Sequence, residues 1–137
     1  MTKKNPYAAL DAFVEEGLKR PFTHAAHIRF DHMTVFVRVA SRYVDQKMTR
    51  TLDIATVDVD EDQQNKKVFS SFLNHAERLA AKKKVPVYVE SILNEGLAAA
   101  LRNRGYDLTG EPTSPNAIFK VDQLSKKYST HDDSPNP

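Results

Sequence analysis

Cysteine is absent from the 137-residue chain. Its absence excludes disulfides, thiol chemistry and cysteine-based zinc sites, and it is typical of a reducing compartment. No apolar segment approaches the length that spans a bilayer, and none of signal-peptide length follows the first lysines in MTKKNPYAALDAF. We therefore expect a soluble, cytoplasmic protein without a membrane contact.

A strong excess of charge of either sign is also missing. Lysine plus arginine number 20 and aspartate plus glutamate 18, which gives a formal net charge of +2. Dedicated nucleic-acid-binding domains usually carry a strong basic excess, so the charge balance argues against nucleic acid as a partner. Hydrophobic residues make up 40% of the chain, and its length suits one globular domain with one core.

The N-terminal part of the chain predicts one helix followed by strands. Leu10, Phe13, Val14 and Leu18 fall on one helical face, and the next proline stops this helix. From residue 28 to 44 the sequence is rich in β-branched and aromatic residues, which predicts β-structure. The polar turn DQKMTR and the alternating run TLDIATVDVD follow, so the two runs predict an antiparallel hairpin.

The second strand of this hairpin carries a change of phase. Apolar and polar residues alternate along it, but the alternation slips between Ile54 and Val57. One additional residue in a strand produces such a slip, which predicts a β-bulge.

The C-terminal half alternates between helices and strands. The apolar stripe from Val68 to Ala80 predicts an amphipathic helix, and VPVYVES predicts a buried strand parallel to the preceding one. NEGLAAALRNRGY predicts a helix capped by Asn94 and ended by Gly105, and NAIFKV predicts a last strand. We expect a mixed α/β domain over residues 1–121 with one β-α-β crossover, and a disordered tail over 122–137.

A polar turn without glycine, DQQNKKVF, leads into the amphipathic helix. The first N–H groups of a helix have no internal partners and favour anions, and Lys66 and Lys67 would add positive charge there. The alternative is an ordinary helix start in which Asp60, Glu61 and Asp62 complement the helix dipole. The turn taken alone favours the ordinary start.

The turn and the later helix together resemble the GNAT superfamily of acyl-CoA-dependent N-acetyltransferases. That family's Arg/Gln-x-x-Gly-x-Gly/Ala motif leads from a strand into a helix, and Gln64 to Phe69 occupy its place. The family also has an asparagine after the next strand and a Gly-aromatic pair after the following helix, as in Asn94, Gly105 and Tyr106. The resemblance covers roughly residues 28 to 121.

The resemblance implies a GNAT-like fold in which coenzyme A lies between two parallel strands that splay apart. Acetyl-CoA would be the co-substrate, its pantetheine arm on one strand and its pyrophosphate on the backbone of residues 64–69. The cofactor-binding residues implied in this way are Val57, Val59, Gln64, Asn65, Lys66, Lys67, Val68, Phe69 and Asn94. The first helix and the segment to Met33 would form much of the acceptor side.

The sequence departs from the family pattern at three positions. Lys67 and Phe69 replace the motif glycines, and Leu101 stands where many members have a tyrosine that protonates the leaving thiolate. A lysine within a helix needs no positive φ, so we expect only the close approach of the phosphates to suffer at Lys67. The base would be Asp58 or Glu90, although a surface carboxylate at a strand end is the alternative for each.

Histidines do not supply a convincing metal site. His24 and His27 lie three residues apart, with His32, His75 and His131 further along the chain. No closed set of zinc ligands emerges from this spacing, so they are expected to line an acceptor pocket or to lie on the surface.

We therefore predict an N-acetyltransferase that acts on a primary amine, and the short acceptor side suits an amine on a macromolecule. The first alternative is a non-catalytic GNAT-like domain that acts through protein–protein interaction. The second is a small nucleic-acid-binding domain that uses Lys66, Lys67 and the lysines at 82–84. A homodimer remains open.

Overall fold

The computed structural model describes residues 5–63, 67–90, 95–111 and 114–132. Their helices and strands follow in the order α1 (Ala8–Leu18), β1 (His24–Phe30), β2 (Met33–Val44), β3 (Lys47–Val59), a 3-10 helix (Glu61–Gln63), α2 (Val68–Lys83), β4 (Val87–Val89), α3 (Glu95–Arg104), β5 (Asp107–Glu111), β6 (Ser114–Phe119) and α4 (Val121–Asp132). The predicted mixed α/β fold is confirmed.

The strands form one sheet in the order β1-β2-β3-β4-β6-β5. β3 and β4 are parallel, and the other neighbouring strands are antiparallel. Two parallel neighbours need a crossover connection, and α2 provides it. The predicted β-α-β unit is therefore confirmed.

The β2–β3 hairpin contains the predicted bulge. Phe36 lies opposite Thr56, and the next residue, Val37, lies opposite Ile54, so Ala55 is the additional residue. Val57 consequently lies opposite Val35, and the apolar side chains on both sides of the bulge face the same side of the sheet.

The core lies on the face of the sheet that α1 and α2 cover. Val35, Val37 and Val39 of β2 are at most 1% exposed. Gly17 of α1 permits close packing here, because a Cβ atom at this position would lie 2.7 Å from a methyl carbon of Val39.

Two elements differ from the sequence prediction. The expected disorder of 122–137 is wrong for residues 122–132, because α4 packs Leu124 and Tyr128 into the core, and residues 133–137 lie outside the described part. A spacing of four places these two side chains on one helical face. β5, a short edge strand that contains Gly110 at a φ of 89°, was not predicted.

The end of α3 agrees with prediction. Gly105 has a φ of 115°, and the N–H of Tyr106 donates to the carbonyl of Leu101 at 3.0 Å. Glycine adopts this conformation without a steric penalty. The predicted cap, Asn94, lies outside the described residues.

No described helix has both the length and the apolar character needed to cross a membrane.

Candidate functional site

A cleft opens where β3 and β4 separate. Their parallel pairing ends at Ile54 and Val89, and the last hydrogen bond runs from the N–H of Glu90 to the carbonyl of Ile54 at 3.1 Å. β3 continues to Val59. The bulge at Ala55 thus falls at the point where the two strands separate, and bulges bend the strand that contains them.

A cavity of about 470 Å³ lies along the free part of β3 and the beginning of α2. It is lined by Val57, Asp58, Val59, Gln63, Lys67, Val68, Phe69 and Ser70. The fold therefore brings together five of the predicted cofactor residues and one candidate base. Gln64, Asn65, Lys66 and Asn94 lie outside the described residues, and the cofactor roles of the whole set stay predictions.

Lys67 precedes α2 with φ 63° and ψ 22°, a left-handed conformation. The expectation that this lysine needs no positive φ was wrong, because it lies at the N-cap and not inside the helix. A left-handed conformation costs a non-glycine residue about 1 kcal/mol. The backbone here thus has the conformation that favours glycine, which is the residue of the family motif at this position.

The first turn of α2 has the backbone geometry that favours an anion. The Lys67 side chain makes no capping hydrogen bond, and the first hydrogen bond of the helix runs from the N–H of Ser71 to the carbonyl of Lys67 at 3.0 Å. The N–H groups of the first turn therefore lack partners within the helix, and the helix dipole is positive at this end. A phosphate in the cavity would meet donors and positive charge together.

Phe69 contributes to the cavity from a fixed position. Its ring stacks on that of Phe72, with the ring centres 6.2 Å apart, and Phe72 is completely buried. Phe69, at the last motif position, is therefore partly buried and packs against the core.

A second cavity of about 260 Å³ lies on the other side of the beginning of α2. Pro6, Tyr7, Phe30, Asp31, His32, Met33, Lys67, Val68 and Ser71 line it. The Tyr7 hydroxyl donates to Ser71 Oγ at 3.0 Å, which connects the N-terminal end of α1 with α2. Lys67 and Val68 line both cavities, so the two cavities flank the helix start.

An ion pair lies at the end of β3, next to the 3-10 helix. Arg29 Nη2 lies 2.7 Å from Asp60 Oδ2, and the hydrogen bond from Arg29 lowers the pKa of the Asp60 carboxyl. Asp60 also donates its N–H to the carbonyl of His32 at 2.9 Å. These contacts fix the end of β3 against the β1–β2 turn.

The two candidate bases have different surroundings. Asp58 is exposed and lines the larger cavity. Glu90 Oε2 accepts a hydrogen bond from Arg42 Nη2 at 2.9 Å and is also ion-paired with Arg38. Glu90 therefore stands at the separation of the strands as part of an ion-pair cluster, and either role as a base stays a prediction.

Leu101 is completely buried in the core. Its position on α3 thus carries packing and presents no hydroxyl group to the cleft.

Three of the described histidines make ring or ion-pair contacts, and His32 lines the second cavity. His24 stacks on Phe13, His27 on Phe36, and His75 Nε2 lies 2.6 Å from Asp11 Oδ1. Within the described ranges, no group of three or more histidine and carboxylate side chains could hold a metal ion.

The sequence analysis missed the cluster around Glu77. This α2 residue is completely buried and accepts hydrogen bonds from Arg104 of α3 and from Lys127 and Tyr128 of α4. A glutamate on the apolar stripe of α2 was the available signal, but its partners lie 27 to 51 residues away.

No protein-family model matches the chain, and no curated protein matches its sequence. Solved structures do match. The KacTA–DNA complex has a TM-score of 0.60 at 14% identity, over 90% of this chain and 86% of that one. AtaTR bound with acetyl-CoA has a TM-score of 0.59 at 10% identity, over 88% and 85%.

A third match is the AtaT toxin, as a tyrosine-to-phenylalanine mutant bound to acetyl-CoA and the C-terminus of the antitoxin AtaR. It has a TM-score of 0.58 at 11% identity, and the alignment covers 72% of this chain but only 64% of that toxin. Likenesses at this level of identity concern the fold. The chain has the GNAT-like acetyltransferase fold, as a divergent example of it.

Proposed function

We propose that this protein is an acetyl-CoA-dependent N-acetyltransferase that acts on a primary amine. The observation that carries the proposal is the cavity between the free part of β3 and the beginning of α2. Two of the similar structures, AtaTR and the AtaT mutant, contain acetyl-CoA.

In this proposal the pyrophosphate of coenzyme A binds at the beginning of α2. The backbone N–H groups of residues 64–69 donate to its oxygens, and the flexible stem of Lys67 places an ammonium beside them. Val57 and Val59 contact the pantetheine arm, and Asn94 contacts the cofactor from the start of α3.

The acetyl transfer needs no covalent enzyme intermediate. The neutral amine attacks the thioester carbonyl carbon, a C–N bond forms, the C–S bond breaks, and coenzyme A leaves as a thiolate. The cysteine thiol has an ordinary pKa of about 8.5, and a thiolate of comparable basicity leaves without the acid that Leu101 cannot supply. Positioning of the two reactants would supply much of the rate.

The proton released by the amine goes to a carboxylate, directly or through water. Asp58 is the candidate in the larger cavity, and Glu90 is the candidate at the separation of β3 and β4. The second cavity, lined by residues next to the α1 start and of the β1–β2 turn, is the proposed acceptor side.

Calorimetric titration with acetyl-CoA tests the cofactor site. We expect micromolar binding by the parent protein and at least tenfold weaker binding by Lys67→Glu, since a carboxylate would repel the pyrophosphate. Lys84→Glu is the matched control, because Lys84 is also an exposed lysine with positive φ, 61°, at the other end of the same helix. The two positions are about 25 Å apart along the axis.

Equal weakening by both variants, or no binding by the parent, would reject this site. The next assay follows thiol release from acetyl-CoA with a panel of amines and lysine-containing peptides.

The buried Leu101 favours one alternative, a non-catalytic domain that acts through protein contact. Binding of acetyl-CoA without amine-dependent thiol release would support that alternative. Amine-dependent release that falls in Asp58→Asn or Glu90→Gln would reject it.

A further inference from the structure

The Glu77 cluster joins three helices at one buried carboxylate. Arg104 of α3 donates through Nε to Glu77 Oε2 at 2.8 Å and through Nη2 to Oε1 at 2.9 Å. From α4, Lys127 Nζ donates to Oε1 at 3.1 Å and the Tyr128 hydroxyl donates to it at 2.5 Å. The Glu77 side chain is 0% exposed, so its charge depends on these donors.

α4 also reaches α3 directly. Lys127 Nζ donates to the carbonyl of Arg104 at 3.1 Å, and the last carbonyls of a helix have no partner within the helix itself. Leu124 and Tyr128 bury α4 in the core. Lys127 therefore binds the Glu77 carboxylate and the main chain of Arg104, and Tyr128 binds the Glu77 carboxylate.

The cluster lies equally far along α2 and α3 from the first residue of each helix. Glu77 is nine residues after Val68, the first residue of α2, and Arg104 is nine residues after Glu95, the first residue of α3. Both helix starts are therefore about 14 Å from the ion pair. α2 and α3 both begin at the carboxyl end of a parallel strand, and the cofactor is proposed to bind between them.

The Glu77–Arg104 pair joins α2 and α3 far from their N-termini, so the angle at the pair affects the distance between the N-termini. If the two helices pivoted by about 10° at the Glu77–Arg104 pair, their N-termini would move by about 2 Å relative to each other. Hydrogen bonds weaken strongly over such a change in distance.

We propose that Glu77, Lys127 and Tyr128 are positioning residues that fix the angle between α2 and α3, so that α4 sets the width of the cofactor cleft. The part that concerns the cofactor rests on the proposed function. The part that concerns the helix angle stands without it.

The absence of cysteine from the chain allows a direct measurement of the helix separation. Spin labels on Ser70→Cys in the first turn of α2 and Ala99→Cys on α3 would report the distance between the helices, since both positions are exposed. We expect a narrow distance distribution in the parent background and a broad or shifted one in Lys127→Met/Tyr128→Phe. A label pair at Ser70 and Lys82, both on α2, should be unchanged.

Two controls separate positioning from general destabilisation. Lys126→Met removes an exposed neighbouring charge on α4, and Val35→Ala weakens the sheet core at a residue that is 0% exposed. Both should leave the Ser70–Ala99 distribution narrow when measured under conditions where every variant is folded. Tyr128→Phe alone serves as a milder variant if the double variant does not fold, and Lys127→Arg should restore the narrow distribution.

Acetyl-CoA titration of the unlabelled proteins completes the test. We expect Lys127→Met/Tyr128→Phe to raise the dissociation constant about tenfold and Lys126→Met to change it less than twofold. An unchanged distance distribution in the double variant would overturn the positioning role. A broadened distribution in a protein whose parent binds no acetyl-CoA would support the helix positioning while rejecting the proposed function.

Discussion

Asp53 on β3 and Glu77 on α2 are both buried carboxylates with 0% exposure, but they are held in different ways. Asp53 belongs to a cluster on the face of the sheet away from α1 and α2, whereas Glu77 lies between helices. Burial of a charge is unfavourable unless it is paired and hydrogen-bonded. The two clusters meet this requirement with different numbers of carboxylates.

The Asp53 cluster contains two carboxylates and two guanidinium groups. Arg42 Nη2 lies 2.8 Å from Asp53 Oδ2 and 2.9 Å from Glu90 Oε2, and Arg38 is paired with the same two carboxylates. The guanidinium of Arg42 also lies 3.9 Å from the ring centre of Tyr88. If either Asp53 or Glu90 is removed, each arginine still has the remaining carboxylate as a partner.

The Glu77 cluster contains one carboxylate and two cations from different helices. Arg104 and Lys127 both depend on Glu77 for an ion pair within the described residues. The comparison indicates that the sheet cluster tolerates the loss of one member, whereas the helix cluster depends on a single residue.

The largest expected effect separates the two carboxylates directly. Glu77→Gln should lower the free energy of unfolding by about 3 kcal/mol, because it leaves two partly buried cations without a counter-charge. Asp53→Asn should lower it by about 1.5 kcal/mol, because Glu90 continues to pair with both arginines. Urea denaturation at pH 7 measures both, and equal losses would contradict the difference in redundancy.

The pH dependence sharpens the role of Glu77. Burial raises the pKa of its carboxyl, but the hydrogen bonds from Arg104, Tyr128 and Lys127 and the charge of Arg104 together hold the pKa below its ordinary value. The folded state thus binds fewer protons than the unfolded state, whose glutamate has a pKa of about 4.3. The stabilisation is complete above that pH and is lost as the pH falls through the folded-state pKa.

The difference in unfolding free energy between the parent and Glu77→Gln should therefore shrink from pH 7 to pH 3. Urea titrations at intervals of half a pH unit would measure it, because contributions from the other carboxylates are common to both proteins. A difference that stays constant over this range would show that Glu77 does not change protonation there.

Removal of one hydroxyl from each cluster should have smaller effects. Tyr128→Phe deletes the donor to Glu77 at 2.5 Å, and Thr51→Val deletes the donor to Asp53 at 2.6 Å. Hydrogen bonds to charged groups are worth about 1.5–3 kcal/mol, so we expect a loss near 2 kcal/mol for Tyr128→Phe. Thr51→Val should lose about 1 kcal/mol, because valine favours a strand and the two arginines remain. Thermal denaturation would measure both, and a larger loss in Thr51→Val would reverse the comparison.

The smallest effect on stability is expected for Glu90→Gln. Glu90 is partly exposed, and pairs of this kind contribute about 0–1 kcal/mol. The loss should be below 1 kcal/mol and smaller still in 1 M salt, where the Debye length is about 3 Å. Circular dichroism melts at two salt concentrations would measure it, and a loss of more than 2 kcal/mol would show that Asp53 cannot hold both arginines alone.

Most of the fold followed from local patterns, because strands and helices bury their residues with periods of 2 and about 3.6. The hairpin, the bulge and the helix stripe of Val68 to Ala80 are examples. The disorder predicted for 122–132 was wrong because these residues form α4. The helix gave little signal, because only two of its described apolar side chains, Leu124 and Tyr128, are buried.

The candidate site was harder to predict than the fold. The position of Val57, Lys67 and Phe69 at one cavity agrees with the motif order, but their roles remain predictions. The positive φ of Lys67 could not be seen, since lysine gives no signal for a left-handed conformation as glycine does. The partners of Glu77 depend on tertiary packing that no local pattern encodes.

Ala55 makes the cleft depend on the number of residues in β3. The registers on its two sides place Ile54, Val57 and Val59 on the same face, so a chain shortened by Ala55 alone would keep every side chain on its present face. Such a strand would be regular at the point where β3 and β4 separate. A deletion of one codon, with no change in the chemistry of any lining residue, would therefore remove the bulge that bends β3 at the mouth of the cleft.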